Sequence, residues 1–189
     1  MTEKEFFDFI HIAENLKNNT RHSVTSTGRA ESVAEHSWRV SLMALLLEDE
    51  IADVDFNKII RMCILHDLGE AITGDIPSFL KTEADSAYED QMVFGLMDTL
   101  PQPQRDKFKA LFEEMLTLVT KEAKIYKALD KLEAVIQHNE APISSWLPLE
   151  YELNQTYGTE EAKKADDVLQ RLRLAAIEAT KRKIKTECP

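Results

Sequence analysis

Polar capping residues followed by apolar side chains at three- and four-residue spacing recur along almost the whole chain. This repetition restricts it to helices packed on helices. Thr2 and Glu5 are spaced as a capping box, and a first helix over residues 3–17 places Phe6, Ile10, Ala13 and Leu16 on one face. Ser32 and Glu35 repeat the S-x-x-E pattern ahead of a second helix in which Val33, Val40, Met43 and Leu47 share a buried side. Asp55 caps a third, whose apolar run IIRMCILHDLG ends at Gly69. Thr82 opens a fourth that carries Met92, Val93, Leu96 and Leu100 before the breaker PQP at 101–103.

Two more helices follow over about 104–118 and 121–139, then a broken connection, then a final helix from a Thr159 cap to about 183. The stretch RHSVTSTGRAE at 21–31 lacks apolar periodicity and reads as a loop, and no segment alternates as a strand. The expected fold class is therefore all-α, a single compact helical bundle. With no internal repeat and no Gly/Ser linker, residues 1–189 form one expected domain, 159–189 being its C-terminal helix. A chain of this length can bury a sizeable core without disulfides or structural metal.

The formal net charge of −11 argues against a nucleic-acid polymer as partner, because that affinity rests on clustered Lys and Arg. The apolar runs are far shorter than a membrane span, so no membrane partner is expected. MTEKEFFDFIHIAENLK is acidic and periodic where a secretory signal would be basic and then apolar, which points to the cytoplasm. Cys63, in an apolar helix, and Cys188, next to the end, lie in unrelated settings; neither is a good nucleophile candidate.

Chemistry concentrates in ILHDLGEAITGDIP, residues 64–77, where an apolar run ends in His66, Asp67, Glu70 and Asp75. An ionised Asp67 at the end of such a helix is expensive to bury without a partner, and a metal can supply one. Imidazole and carboxylate together suit divalent ions of the Mn, Fe, Co, Ni or Zn type. Asp130 stands among Ala128, Leu129 and Leu132 in EAKIYKALDKLEAVIQH, where an ion pair with a nearby Lys or Arg is the alternative to a metal. His138 follows it by eight residues, two helical turns, too far along the axis for the same ion. Trp38 and Trp146 read as core residues, and Glu31 and Glu35 as supporting or capping groups.

The order His36, then His66-Asp67, then Asp130 resembles the H…HD…D signature of the HD-domain metal-dependent phosphohydrolases. ESVAEHSWR, HDLGEAITGDIP and EAKIYKALDKLE resemble the branch of bacterial 5'-deoxynucleotidases and their eukaryotic relatives, over about residues 5–158. The resemblance implies that His36, His66, Asp67 and Asp130 hold one divalent cation per chain, identified only as Mn, Co, Mg or similar. It further implies that Glu70 positions the attacking water or takes its proton, that Asp75 holds a sugar hydroxyl, and that Arg21 contacts phosphate. Arg29, in the GRAES lead into the metal helix, is a further candidate for the phosphate.

The implied reaction releases the 5'-phosphate of a (deoxy)nucleoside monophosphate, and the implied assembly is a homodimer. Related sequences often carry a tryptophan in the 21–31 stretch, where this chain reads RHSVTS with His22 and Val24, so substrate preference is open. Triphosphohydrolysis, phosphodiester cleavage and a non-catalytic nucleotide-binding role are the alternatives.

Overall fold

The computed structural model describes residues 1–187; Cys188 lies outside the described residues. Its elements run α1 (Glu3–Ala13), α2 (Asn15–Asn18), β1 (Thr20–Val24), β2 (Ala30–Ser32), α3 (Val33–Leu46), α4 (Phe56–Leu65), α5 (Glu70–Thr73), α6 (Glu83–Asp98), α7 (Gln104–Thr117) and α8 (Lys121–Glu140). A 3-10 turn (Ile143–Ser145) leads to α9 (Glu150–Thr156), α10 (Thr159–Ala165) and α11 (Asp167–Glu187). The expected caps of α1, α3, α4 and α6 are in place: Thr2, Ser32, Asp55 and Thr82 each accept a backbone N–H three residues on. These signals are local, and so is the backbone need they satisfy.

Helix α8 is the axis of the bundle. Its Ile125, Ala128, Leu129, Leu132 and Val135 are buried, and α3, α4, α10 and α11 pack around it. The main core joins Val40 and Ala44 of α3 to Ile59, Met62 and Cys63 of α4 and Leu129 of α8. A smaller cluster of Leu16, Val33, Leu65, Leu68, Ala71 and Leu96 backs the segment between α4 and α6. Each fully buried Leu or Ile side chain contributes about 1.5–3 kcal/mol through burial.

Several expectations need correction. The 21–31 stretch is an antiparallel hairpin, β1 with β2, with Thr20 opposite Ser32 and Val24 opposite Ala30 across an irregular register. It escapes hydrophobic periodicity because its inward side chain Ser23 and the half-buried Arg21 are polar. The helix expected over 3–17 divides at Glu14, and its exposed large apolar residues are Phe6, Phe7 and Ile10, while Phe9, Ile12 and Ala13 pack inward with Leu16. FFDFIHIA offers two apolar stripes, and the sequence alone does not choose between them.

The third helix ends at Leu65, and His66–Gly69 pass through turns into α5. The final helix is broken at Asp166, whose backbone is extended and whose carboxylate accepts the Val168 N–H. Gly158, not Thr159, caps α10, at a left-handed φ of 76° that glycine adopts without strain. Trp38 is 63% exposed and so is not a core residue, whereas Trp146 is buried.

Close packing ties α6 to the segment between α4 and α5. A Cβ on Gly69 would meet Glu89 Cγ and Val93 Cγ2 at 2.7 Å each, and the Glu89 carbonyl oxygen at 3.2 Å. Gly69→Ala is expected to lower unfolding stability by about 1–3 kcal/mol through overpacking, measured by urea denaturation followed by circular dichroism. Unchanged stability would show that α6 yields freely at this contact.

Candidate active site

Three helical segments bring four polar side chains to one point. His36 sits one turn into α3, His66 and Asp67 occupy the turn after α4, and Asp130 lies at the middle of α8. His36 Nε2 and His66 Nε2 face each other at 3.2 Å. Asp130 Oδ1 is 3.2 Å from His36 Nε2 and 3.7 Å from His66 Nε2. Asp67 Oδ2 is 3.1 Å from the His66 nitrogen and 3.7 Å from that of His36.

The rings are fixed from behind. His66 Nδ1 is 2.8 Å from the Cys63 carbonyl oxygen, an acceptor only, so that nitrogen donates. His36 Nδ1 meets the Glu133 carboxylate, which is wholly buried. With both Nδ1 atoms donating, the neutral rings turn lone pairs on Nε2 toward each other and toward two carboxylate oxygens. Such a set repels itself unless a proton or a cation lies among its members, and Asp67 Oδ2 has no hydrogen-bond partner. Where protons do that work, burial opposes ring charge, but Asp67 and Asp130 overcome it and push His66 up to about 10.

Two imidazoles and two carboxylates with rings oriented through their other nitrogens are a donor set that fits a divalent cation. His36, His66, Asp67 and Asp130 are the residues that would hold it. Glu31, buried beside Glu133, accepts from Ser23 Oγ at 3.1 Å and lies 3.3 Å from Arg21 Nε. It belongs to the shell that supports His36 and Arg21.

A cavity of about 170 Å³ opens beside these groups and is lined by Arg21, Glu70, Asp75, Lys81 and Lys127 along with Asp67 and Asp130. Glu70 Oε2 is buried without a hydrogen-bond partner. Burial, followed by the charges of Asp67, Asp75 and Glu89, pushes Glu70 up to about 10, so it holds a proton avidly. Burial also raises Asp75, against the pull of Arg21. Arg21 NH1 stands 3.7 Å from Asp67 Oδ2.

Lys127 Nζ donates to Asp130 Oδ2 at 2.8 Å, so the ion pair weighed for Asp130 exists on one oxygen while the other faces the rings. The structure does not bring Arg29 to this cavity. It is exposed and forms a two-pronged bond with Glu35 at 2.8 and 3.0 Å, on the same carboxylate that caps α3. Sequence reasoning missed Glu133 and Lys127, which lie three residues either side of Asp130; that spacing on a helix is the signal that could have found them.

Comparison with known proteins agrees with the geometry. A family model described as HD domain matches residues 13–173. The 5'-deoxynucleotidase HDDC2 of Homo sapiens is 28% identical over 141 residues, which cover 72% of this chain and 68% of that protein. The Xenopus laevis protein of the same name is 30% identical over 138 residues, covering 71% and 68%. Among solved structures, a predicted metal-dependent phosphohydrolase of Magnetospirillum magnetotacticum MS-1 matches with a TM-score of 0.81 at 25% identity, over 95% of each chain.

Divalent ions are expected to raise the melting temperature of the wild-type protein, with about 2.7 kcal/mol of stabilisation at a hundredfold excess over the dissociation constant. Titration calorimetry with Mn, Co and Zn should find that His36→Ala and Asp130→Asn lose this binding. Retained affinity in both variants would place the ion elsewhere.

Glu70 is expected to trade stability for function. Its folded-state value of about 10 lies above the ordinary 4.5. The unfolded chain therefore releases this proton first, and stability falls as pH rises through that window. In chelator, Glu70→Gln should exceed wild type by about 1–3 kcal/mol at pH 8, the gap closing below about pH 4.5. Denaturant titrations at both pH values check it, and equal stability at pH 8 would refute the burial penalty.

Proposed function

Because the chain belongs to the HD domain family, we propose that it is a metal-dependent phosphomonoesterase that releases the 5'-phosphate of deoxynucleoside monophosphates, with one divalent cation per chain. The observation that carries this reading is the junction of two kinds of group: the convergent His36, His66, Asp67 and Asp130, and, in the cavity that Asp67 and Asp130 help to line, the unpartnered Oε2 of Glu70 together with the cation Arg21. The curated relatives named 5'-deoxynucleotidase support the choice of substrate.

A bound divalent cation supplies two things, a lowered pKa for water and compensation of phosphoryl charge. The protein's own groups do the rest. Glu70 holds a proton in the metal-free protein; the charge of a bound cation would favour its ionised form, in which it orients the attacking water and accepts its proton as the new O–P bond forms. Arg21 offers a planar, permanently charged fork to the phosphoryl oxygens, and it is held on β1 by Glu31. Lys127 adds a second positive charge next to Asp130.

As the bond to the 5'-oxygen breaks, the proton gained by Glu70 is available to that oxygen, so nucleoside and phosphate leave with protons balanced. Asp75, on the loop after α5, accepts the hydrogen of a sugar hydroxyl. The preference for the deoxy sugar follows the relatives' names; no residue of this chain excludes a 2'-hydroxyl by itself. A homodimer of single-domain chains in the cytoplasm completes the reading. Exposed Trp38, Leu42, Leu45 and Leu46 on α3 offer apolar surface to a partner, and no described helix is long and apolar enough to cross a membrane.

Phosphate release from deoxyribo- and ribonucleoside 5'-monophosphates, dATP and a cyclic nucleotide, with Mn, Co or Mg, tests the proposal. Turnover is expected with the monophosphates and not with the other two, and Glu70→Ala should lose about 10²–10⁴-fold in kcat. Metal-loaded protein that binds nucleotides yet never releases phosphate would make it a binding module instead.

A further inference from the structure

The far wall of the cavity carries a carboxylate and two imidazoles that the hydrolytic steps do not use. Helix α8 sets their distance from the metal ligands. Asp130, Ala134 and His138 follow at four-residue spacing and line the same cavity, and about 12 Å of helix axis separates the first from the last. The small Ala134 leaves room midway along this wall, in the cavity that Asp75 also lines, where a sugar linking phosphate to base would lie.

At the far end, His22 Nε2 is 3.1 Å and His138 Nε2 is 3.5 Å from one oxygen, Oε1 of Glu150. Glu150 is 1% exposed, and its other oxygen accepts the Leu147 N–H at 2.6 Å. Aromatic neighbours hold both rings: His22 meets Phe79 edge-on at 5.5 Å, and His138 meets Trp146 at 6.1 Å. Trp146 also donates its indole N–H to the His138 carbonyl oxygen at 3.0 Å.

A buried carboxylate requires donors, and the nitrogen that each ring turns toward Oε1 is Nε2, His22 at the shorter distance and His138 at ion-pair range. An imidazole that is neutral and donates there keeps a lone pair on Nδ1, and neither Nδ1 has a partner among the described residues. Burial holds His138 below its ordinary value despite Glu150, which favours the neutral form.

Resting on the nucleotide reading above, we propose that His138 and His22, oriented by Glu150, are specificity-determining residues that read the nucleobase, favouring bases whose edge carries an amino group. The rings accept the amino hydrogen of adenine or cytosine, and thymine offers no amino group in its place.

The test compares kcat/KM for dAMP, dCMP, dTMP and the base-free 2-deoxyribose 5-phosphate in wild type, His138→Ala, His138→Gln and His22→Ala, all Mn-loaded. Wild type should favour dAMP and dCMP over both dTMP and the base-free substrate. In His138→Ala and His22→Ala the ratio of dAMP to base-free kcat/KM should fall about tenfold, chiefly through KM, as expected for loss of one hydrogen bond. His138→Gln, which retains an acceptor, should recover part of the ratio.

A ratio unchanged in both alanine variants overturns the inference, as does a wild type that treats dAMP and the base-free substrate alike; in the latter case phosphomonoester hydrolysis itself still stands. Wild type inactive on every substrate overturns the hydrolase reading together with this one. Circular dichroism identifies any variant that fails to fold, and the other variants then decide.

Discussion

Two imidazole nitrogens facing each other at 3.2 Å, with carboxylate oxygens closing on both, form the contact around which this fold is arranged. Left alone, such a group of lone pairs separates; here four pieces of chain prevent it. Glu133 holds His36, the Cys63 carbonyl holds His66, Lys127 holds one oxygen of Asp130, and Arg21 stands beside Asp67. Cys63 and Lys127 each lie three residues from the group they hold, and Glu133, which reaches across to His36, lies three residues from Asp130, so the turn of an α-helix that presents a ligand also presents a support. The hydrophobic core of α3, α4 and α8 then fixes the three helices against one another.

That arrangement keeps polar atoms buried without partners, Asp67 Oδ2 and Glu70 Oε2 among them. Each such atom costs about 1–3 kcal/mol in a protein whose whole margin is about 5–15 kcal/mol. The expense is tolerable where a ligand present only in the folded state returns it. The net charge of −11 poses a related difficulty for an anionic substrate. The cavity answers it locally by gathering Arg21, Lys81 and Lys127, which composition alone does not reveal. Lys81 is itself paired with Glu89, leaving Arg21 nearest Asp67 and Lys127 nearest Asp130.

What the sequence disclosed, and what it hid, divides along a physical line. Helix starts were legible at Thr2, Ser32, Asp55 and Thr82 because a cap acts within three residues. The division at Glu14, the end at Leu65 and the break at Asp166 were not, because periodicity continues across all three and tertiary packing decides them. The order of His36, His66, Asp67 and Asp130 could be read along the chain, whereas Glu133 could not: a carboxylate in a charged helix looks solvated until burial is known. Both Arg21 and Arg29 fall in a supposed loop, and only the resemblance favours Arg21. The hairpin separates them, placing Arg21 at the cavity while Arg29 lies past the turn against Glu35.

The same hairpin gives the His22 position its meaning. A tryptophan at this position would offer one N–H and an apolar face but no nitrogen lone pair. His22 lies within reach of buried Glu150, and His138 approaches the same oxygen from α8. An imidazole that donates to that carboxylate retains an acceptor on its other nitrogen, which an indole cannot do. The imidazole at this one position therefore sets what the far wall can accept, at a distance from Asp130 that α8 holds constant. Phosphate chemistry at one end and base preference at the other can thus vary independently on a single rigid helix.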